Sequence, residues 1–335
     1  MSTELLVVTG PGPDGHTHIP GHPERLERLP AALDGIRRAD LIDAVTMIES
    51  RWATDEELTR AHDPAHIEAM RNFCERGGGQ IDADTYAKPT SWSTAMLAAG
   101  SGLVAIDTLR AGQADTAFCA FRPPGHHAER AMAMGFCLVN NIAVAACSLV
   151  AAGERVMIVD WDVHHGNGTQ DIFYHNPNVL YVSTHQASTY PGTGRVRETG
   201  GPDAPFSNLN LPLPDRSTGD VLLALLDEVI IPVGERFRPQ WLLISAGFDA
   251  HRADPLADLS WTAADYTLAS ARLATLIPKG RTVLMLEGGY DLDALSDCVG
   301  ATLSWHAGGS FRPEAPSSGG PGREVVDAAR KLWGL

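Results

Sequence analysis

The sequence predicts a single α/β domain, a parallel sheet covered by helices on both faces. Short apolar runs alternate with longer helical patterns along the chain, the order that builds doubly wound sheets. Several of these runs, Val156-Met157-Ile158-Val159 among them, are apolar at every position, which marks strands buried on both faces. No internal repeat or low-complexity tract divides the body of the 335-residue chain.

In chain order, the first strand is expected at 5–9. A loop-rich stretch follows at 10–23, with three histidines and four prolines. Its His16, His18 and His22 are read as shaping an entrance loop. Helical spacing runs through 24–37, 64–75 and 91–110. Gly77-Gly78-Gly79 lacks the following helix and lysine of a phosphate loop and is read as a turn. Strands are expected at 116–121 and 155–160, with a helix at 138–152 between them. Further strands at 179–183, 241–245 and 282–286 alternate with helices at 220–236, 263–277 and 292–306. The core so drawn spans about 5–306. Residues 308–322, rich in Gly, Ser and Pro, read as a linker to a short C-terminal helix at 324–332. Trp52, Trp92, Trp241, Trp261, Trp305 and Trp333 are read as core or helix-packing residues.

Composition bounds the function. The chain is 44% hydrophobic and 20% charged, as in an ordinary globular protein, and no segment has the ~20 uninterrupted apolar residues of a membrane span. Residues 1–10 lack the basic and apolar regions of a signal peptide. The five cysteines, Cys74, Cys119, Cys137, Cys147 and Cys298, form no C-x-x-C pair and read as thiols of a reducing, cytoplasmic compartment. The formal net charge of −15 argues against direct nucleic-acid binding and suits a cationic substrate, although many proteins are acidic for solubility alone.

In sheets of this type ligands bind outside the carboxyl ends of the strands. Four predicted strand ends deliver chemistry. One carries Arg122-Pro123-Pro124-Gly125-His126-His127, the next Asp160-Trp161-Asp162-Val163-His164. The others carry Ala246-Gly247-Phe248-Asp249 and Glu287-Gly288-Gly289-Tyr290. If these strands are neighbours, the groups converge on one cleft. In an extended segment Asp160, Asp162 and His164 face one side. Asp162 and His164 are ligand types that zinc accepts, and Asp249 supplies a third, leaving a position open for water and substrate. A lone Asp-x-His is more often a polar loop; the other three segments favour the metal. His126 and His127, with ordinary imidazole pKa values near ~6.5, suit acid–base work, with Asp160 and Asn167 as acceptors that hold their tautomers. Glycines 288 and 289 permit a sharp turn that aims the Tyr290 phenol at a developing oxyanion.

These motifs resemble the zinc-dependent histone deacetylase superfamily, which includes bacterial histone deacetylase-like amidohydrolases and acetylpolyamine amidohydrolases. The resemblance runs from about His18 to about His306. It rests on FRPPGHHAE at 121–129, GFCLVNN at 135–141, VDWDVHHGNGTQDIFY at 159–174, LYVSTH at 180–185, YPGTG at 190–194, SAGFDAHRADPL at 245–256 and EGGYDL at 287–292. Asn167 stands where the class II branch carries Asn.

The resemblance implies an arginase/deacetylase fold with a parallel sheet of about eight strands. It makes Asp162, His164 and Asp249 the zinc ligands, and iron(II) suits the same set. It makes His126, His127, Asp160, Asn167 and Tyr290 the catalytic group. Gly135, Phe136 and Tyr190 match the walls of a narrow acyl-lysine tunnel, and Arg28 an arginine near an internal exit channel. Structural potassium is implied at the main-chain oxygens of Asp160, Asp162, His164 and Thr184 with the Ser183 side chain. A second potassium is implied at Phe173, Asn176 and Val179.

The activity implied is removal of acetyl from an N-acetylated amine. Some polyamine-selective members carry Glu where this chain has Leu256, so acetyl-lysine in a peptide or protein is expected over an acetylpolyamine. The loop carboxylates Asp14, Glu24, Asp82 and Asp84 have no assigned place. A non-catalytic acyl-lysine scaffold would be expected to lack a ligand or the tyrosine. An arginase-like dimanganese enzyme needs paired Asp motifs, and the chain holds one Asp-x-Asp-x-His.

Overall fold

The computed structural model describes residues 5–10, 15–16 and 19–335, so Asp14 and His18 lie outside the described residues. The strands are β1 (Leu5–Thr9), β2 (Val45–Glu49), β3 (Gly79–Gln80), β4 (Tyr86–Ala87), β5 (Thr116–Cys119), β6 (Val156–Asp160), β7 (Val179–Gln186), β8 (Asn208–Leu213), β9 (Trp241–Ala246) and β10 (Thr282–Leu286). β3 and β4 form a small antiparallel ribbon. The other eight make one parallel sheet in the order β2-β1-β5-β10-β9-β6-β7-β8.

Alternation along each strand feeds two separate cores. Leu5, Val7, Met157, Val159, Leu242 and Ile244 point to one face, and Leu6, Val8, Val156, Ile158, Trp241 and Leu243 to the other. The helices are α1 (Arg28–Arg38), α2 (Asp55–Thr59), α3 (Pro64–Glu75), α4 (Ser91–Arg110), α5 (Asn141–Ala151), α6 (Asn167–Phe173), α7 (Gly219–Leu225), α8 (Ile231–Phe237), α9 (Ala263–Leu273), α10 (Leu292–His306) and α11 (Arg323–Trp333). Residues of α1 and α7 to α11 fill the first core, and residues of α4 and α5 the second. No helix among the described residues is long and apolar enough to cross a membrane.

The structure departs from the sequence expectation at identifiable places. The strands of the large sheet that the apolar runs do not reveal, β2 and β8, are its two edges, and the two-residue strands β3 and β4 are also unmarked. An edge needs less burial, and β8 (Asn-Leu-Asn-Leu-Pro-Leu) carries Pro212, which an edge strand tolerates. The predicted helix 24–37 begins only at Arg28, because Glu24 turns inward to bind Arg28 and Arg122. The predicted helix 220–236 is broken by a π turn over Leu226–Ile230, just ahead of Pro232, which has no N–H to donate. Trp52 is 57% exposed, so its assignment to a core is corrected.

Residues 308–322 have no regular structure but are strapped to the body. Glu314 binds His251, Ser317 binds Asp265, and Ser217 donates to Pro321 O. Val326, Ala329 and Trp333 of α11 then complete the first core.

Candidate active site

β5, β10, β9 and β6 are consecutive neighbours, so the four strand ends singled out from the sequence open on one cleft. Beyond β6 the chain turns sharply. The Asp162 carboxylate accepts from His164 N (2.9 Å) and from Gly288 N beyond β10 (2.8 Å). Asp249, beyond β9, accepts from Val163 N at 2.9 Å. His164 Nδ1 is thereby placed 3.1 Å from Asp162 Oδ1 and 3.2 Å from Asp249 Oδ2. One ligand atom from each of the three residues falls within 4.8 Å of the others, and all three residues are buried.

Without a cation this arrangement is electrostatically unfavourable. Burial and the neighbouring Asp162 charge push the Asp249 carboxyl up to about 6. Burial alone would lower the His164 imidazole, but the two carboxylates push it up to about 10. Asp249 Oδ2 is buried with no hydrogen-bond donor of its own. Two carboxylates and one imidazole that share a proton, with one oxygen orphaned, are a donor set that fits a divalent ion. Glycine is required on the far side: a Cβ at Gly288 would sit 1.9 Å from Asp249 Oδ2, and one at Gly247 2.1 Å from Asp162 Oδ2.

The tandem histidines stack at 4.0 Å between centroids but face different partners. His126 Nδ1 lies 3.0 Å from Asp160 Oδ2, which also accepts from the buried Tyr181 hydroxyl at 3.0 Å. Burial opposes charge on His126, yet Asp160, Asp162 and Glu287 raise its pKa well above the ordinary value. His127 Nδ1 lies 2.8 Å from Asn167 Oδ1. Asn167 is oriented by its own amide, which donates to Glu129 at 2.8 Å, so its oxygen faces the imidazole. His127 therefore carries its proton on Nδ1 and leaves Nε2 free to accept. Burial and the neighbouring His126 charge lower its pKa well below the ordinary value.

Aromatic rings wall the approach. Tyr190 meets the His127 ring edge-on at 5.0 Å, and Phe136 meets the Tyr290 ring at 6.0 Å. Phe136 holds φ +69°, a left-handed conformation that costs a bulky residue about 1–3 kcal/mol and persists only where its surroundings impose it. Here the Thr85 hydroxyl accepts from Phe136 N at 3.0 Å. Gly135 has φ +56°, and a Cβ there would sit 2.5 Å from the His127 ring. Gly135→Ala is therefore expected to destabilise the fold by about 1–3 kcal/mol and displace His127. A melting curve with parallel turnover measurements checks both. Leu256 and Tyr290 border a rim cleft of ≈ 580 Å³, shared with Ile19, His22 and Pro23.

The chain matches the histone deacetylase domain model over residues 22–305. It belongs to the histone deacetylase family. It is 37% identical over 284 residues to a probable deacetylase of Archaeoglobus fulgidus, covering 83% of this chain and 79% of that protein. It is 36% identical over 289 residues to a histone deacetylase-like amidohydrolase of Pseudomonas aeruginosa, covering 84% and 74%. The crystal structure of the HDA15 HD domain superposes with a TM-score of 0.91 at 34% identity, over 99% of this chain and 94% of that one. The family is one of metal-dependent amide hydrolases, and its fold is the eight-stranded one found here.

Within this histone deacetylase fold Arg28 lies behind the tyrosine. It donates to Gly289 O (2.7 Å), Glu287 O (2.5 Å) and Glu24, with its guanidinium 4.8 Å from the Tyr290 ring centroid. At the implied potassium positions, His185 Nε2 faces Gly194 O at 3.1 Å, so Nδ1 accepts from the Ser183 hydroxyl at 2.9 Å. The Ser183 oxygen keeps its lone pairs available to a cation. Thr184 Oγ1 donates to Asp160 O at 3.4 Å. Phe173 O and Asn176 O accept from Asn176 N and Val179 N in two successive tight turns.

Sequence reasoning missed three supports. Glu287 takes Gly125 N (2.6 Å) and His126 N (3.1 Å) on one carboxylate oxygen, and burial pushes its pKa up to about 7. A lone acid closing an all-apolar strand was the available signal. Tyr181 sits within an apolar run that hides its bond to Asp160. The Asp82–Thr85 turn reaches the aromatic wall, with Thr85 on Phe136 and the Asp84 carbonyl on His22 at 3.0 Å.

Proposed function

We propose that the protein is a zinc-dependent deacetylase that hydrolyses the amide of an acetylated lysine in a peptide or protein. The observation that carries the reading is the buried Asp162–His164–Asp249 set with the His127 ring 6.0 Å from the His164 ring and His127 Nδ1 held by Asn167, which leaves Nε2 to accept a proton. Two carboxylates neutralise a +2 ion and leave coordination positions open, as catalytic zinc sites do. Iron(II) fits the same donors, and metal analysis of protein purified without added metal separates the two. A zinc ion there supplies Lewis-acid polarisation of the acetyl carbonyl and a more acidic water.

His127 Nε2 takes a proton as water adds to the carbonyl carbon. The Tyr290 hydroxyl donates to the developing oxyanion, and the charged His126, held by Asp160, adds positive potential beside it. The proton collected on His127 passes to the amine nitrogen as the C–N bond breaks, giving acetic acid and the amine, which exchange the remaining proton to leave acetate and ammonium. Phe136 and Tyr190 hold the methylene stem of the lysine between them. Potassium at Asp160, Asp162, His164, Ser183 and Thr184 would brace the loop beyond β6, and a second ion the turn at Phe173, Asn176 and Val179.

Among the described residues a single metal-type cluster is present, which favours one ion per chain over an arginase-like pair. The buried Asp162–His164–Asp249 cluster and Tyr290 are both present, which favours an enzyme over an acyl-lysine scaffold. The cysteines are free thiols, as suits a cytoplasmic enzyme. The polyamine alternative has its own support, since the charges of Asp84 and Asp82 reach Tyr190 at the rim.

The test is turnover of zinc-loaded protein on acetyl-lysine peptides against acetylputrescine, acetylspermidine and acetylspermine. Higher kcat/KM on peptides is expected, and a polyamine preference overturns the lysine assignment. Leu256→Glu, which places a carboxylate in the rim cleft, is expected to shift the kcat/KM ratio toward acetylpolyamines by about two- to fivefold, the worth of one partly exposed charge pair.

A further inference from the structure

We propose that Asp254 is a positioning residue that sets Tyr290 at the tunnel and ties it to Leu256. The inference rests on the deacetylase reading above. Asp254 lies in the loop beyond β9 and is 7% exposed. Its two carboxylate oxygens divide between two loops. Oδ1 accepts from Leu256 N at 3.0 Å, within its own loop. Oδ2 accepts from Tyr290 N at 2.7 Å, across to the loop beyond β10.

The two loops are held by different bonds. The Asp254 loop is braced: Asp254 N donates to His251 O at 2.9 Å, Ala253 N to His251 Nδ1 at 3.2 Å, and His251 Nε2 meets Glu314 at 2.8 Å. The Tyr290 loop, Glu287-Gly288-Gly289, is held upstream of the tyrosine: Gly288 N donates to Asp162 at 2.8 Å and Gly288 O accepts from Phe248 N at 3.0 Å, while Gly289, at φ +120°, makes the turn that a side chain would disfavour. Arg28 holds this turn by its carbonyls and covers the Tyr290 ring, but it leaves the Tyr290 N–H untethered. Asp254 supplies that tether, carrying the rigidity of one loop to the oxyanion donor on the other. The same carboxylate fixes Leu256 at the rim, so the donor and the residue proposed to read the substrate share one anchor.

Asp254→Asn tests this cleanly. The amide has one oxygen for the two N–H donors and no charge, so one of Leu256 N and Tyr290 N meets an NH2 and the other keeps only an uncharged acceptor. With zinc content unchanged, kcat is expected to fall roughly ten- to hundredfold, as for loss of a charge-assisted buried hydrogen bond, while KM for peptide stays within about twofold. In a Tyr290→Phe background the same substitution is expected to change kcat by less than about threefold, since both act through one hydroxyl. Equal losses in both backgrounds, or loss of metal, overturn the proposal.

A second readout needs no turnover. In protein carrying 13C-labelled tyrosine rings, the signal that Tyr290→Phe removes is expected to shift or broaden in Asp254→Asn while the other tyrosine signals hold. An unmoved Tyr290 signal overturns it. An inactive wild type would sink the deacetylase reading, and the ring signal would still report whether Asp254 sets the ring.

Discussion

Tyr290→Phe is expected to lower kcat by about two to three orders of magnitude, the scale of removing one oxyanion donor, with KM and metal content close to wild type. The ring is buried at 7% exposure, and burial raises the phenol pKa well above its ordinary value. The hydroxyl therefore keeps its proton and acts as a donor at neutral pH. Phenylalanine has the same shape and keeps the contacts with Phe136 and Arg28, so the substitution removes the hydroxyl alone. Steady-state kinetics on an acetyl-lysine peptide check this, and a near-normal kcat removes the tyrosine from the mechanism.

The second large effect is on the metal. Asp249→Ala is expected to drop bound zinc from one per chain to near zero and deacetylation to background. Asp162 and His164 would remain, one negative charge against a +2 ion. The alanine also strips Val163 N of its acceptor, a cost of about 1–3 kcal/mol for a buried donor. Asp249→Asn keeps an oxygen for that N–H while removing the charge, so it separates metal loss from misfolding. Metal analysis beside a melting curve decides. A folded Asp249→Asn that retained full zinc would show that Asp249 is not a ligand.

How much of this was readable in the sequence follows from burial. β6, β9 and β10 are apolar at nearly every position because both faces are covered, and such runs stand out. β2 and β8 are edges, and β8 mixes Asn and Pro with Leu, so no run marks it. The strand ends gave the Asp162–His164–Asp249 cluster, the two histidines and the tyrosine, because polar residues that close a buried apolar strand stand out. The partners Asp160 and Asn167, expected from the need to hold a tautomer, lie at 3.0 and 2.8 Å from the two imidazoles. The separation of the two histidines into a charged and a neutral one was not readable. It depends on which carboxylates surround each ring, and Glu287 and Tyr181 reach the site through the fold alone. The strapping of 308–322 was hidden for the same reason, since Glu314 and Ser317 find partners about sixty and fifty residues away.

The most direct test of the central claim is a metal titration. Protein stripped by a chelator is assayed for acetate release from an acetyl-lysine peptide as zinc is returned. Activity is expected to be lost on stripping and restored fully at one zinc per chain. Turnover that survives chelation, or that needs two metal ions per chain, would contradict the account.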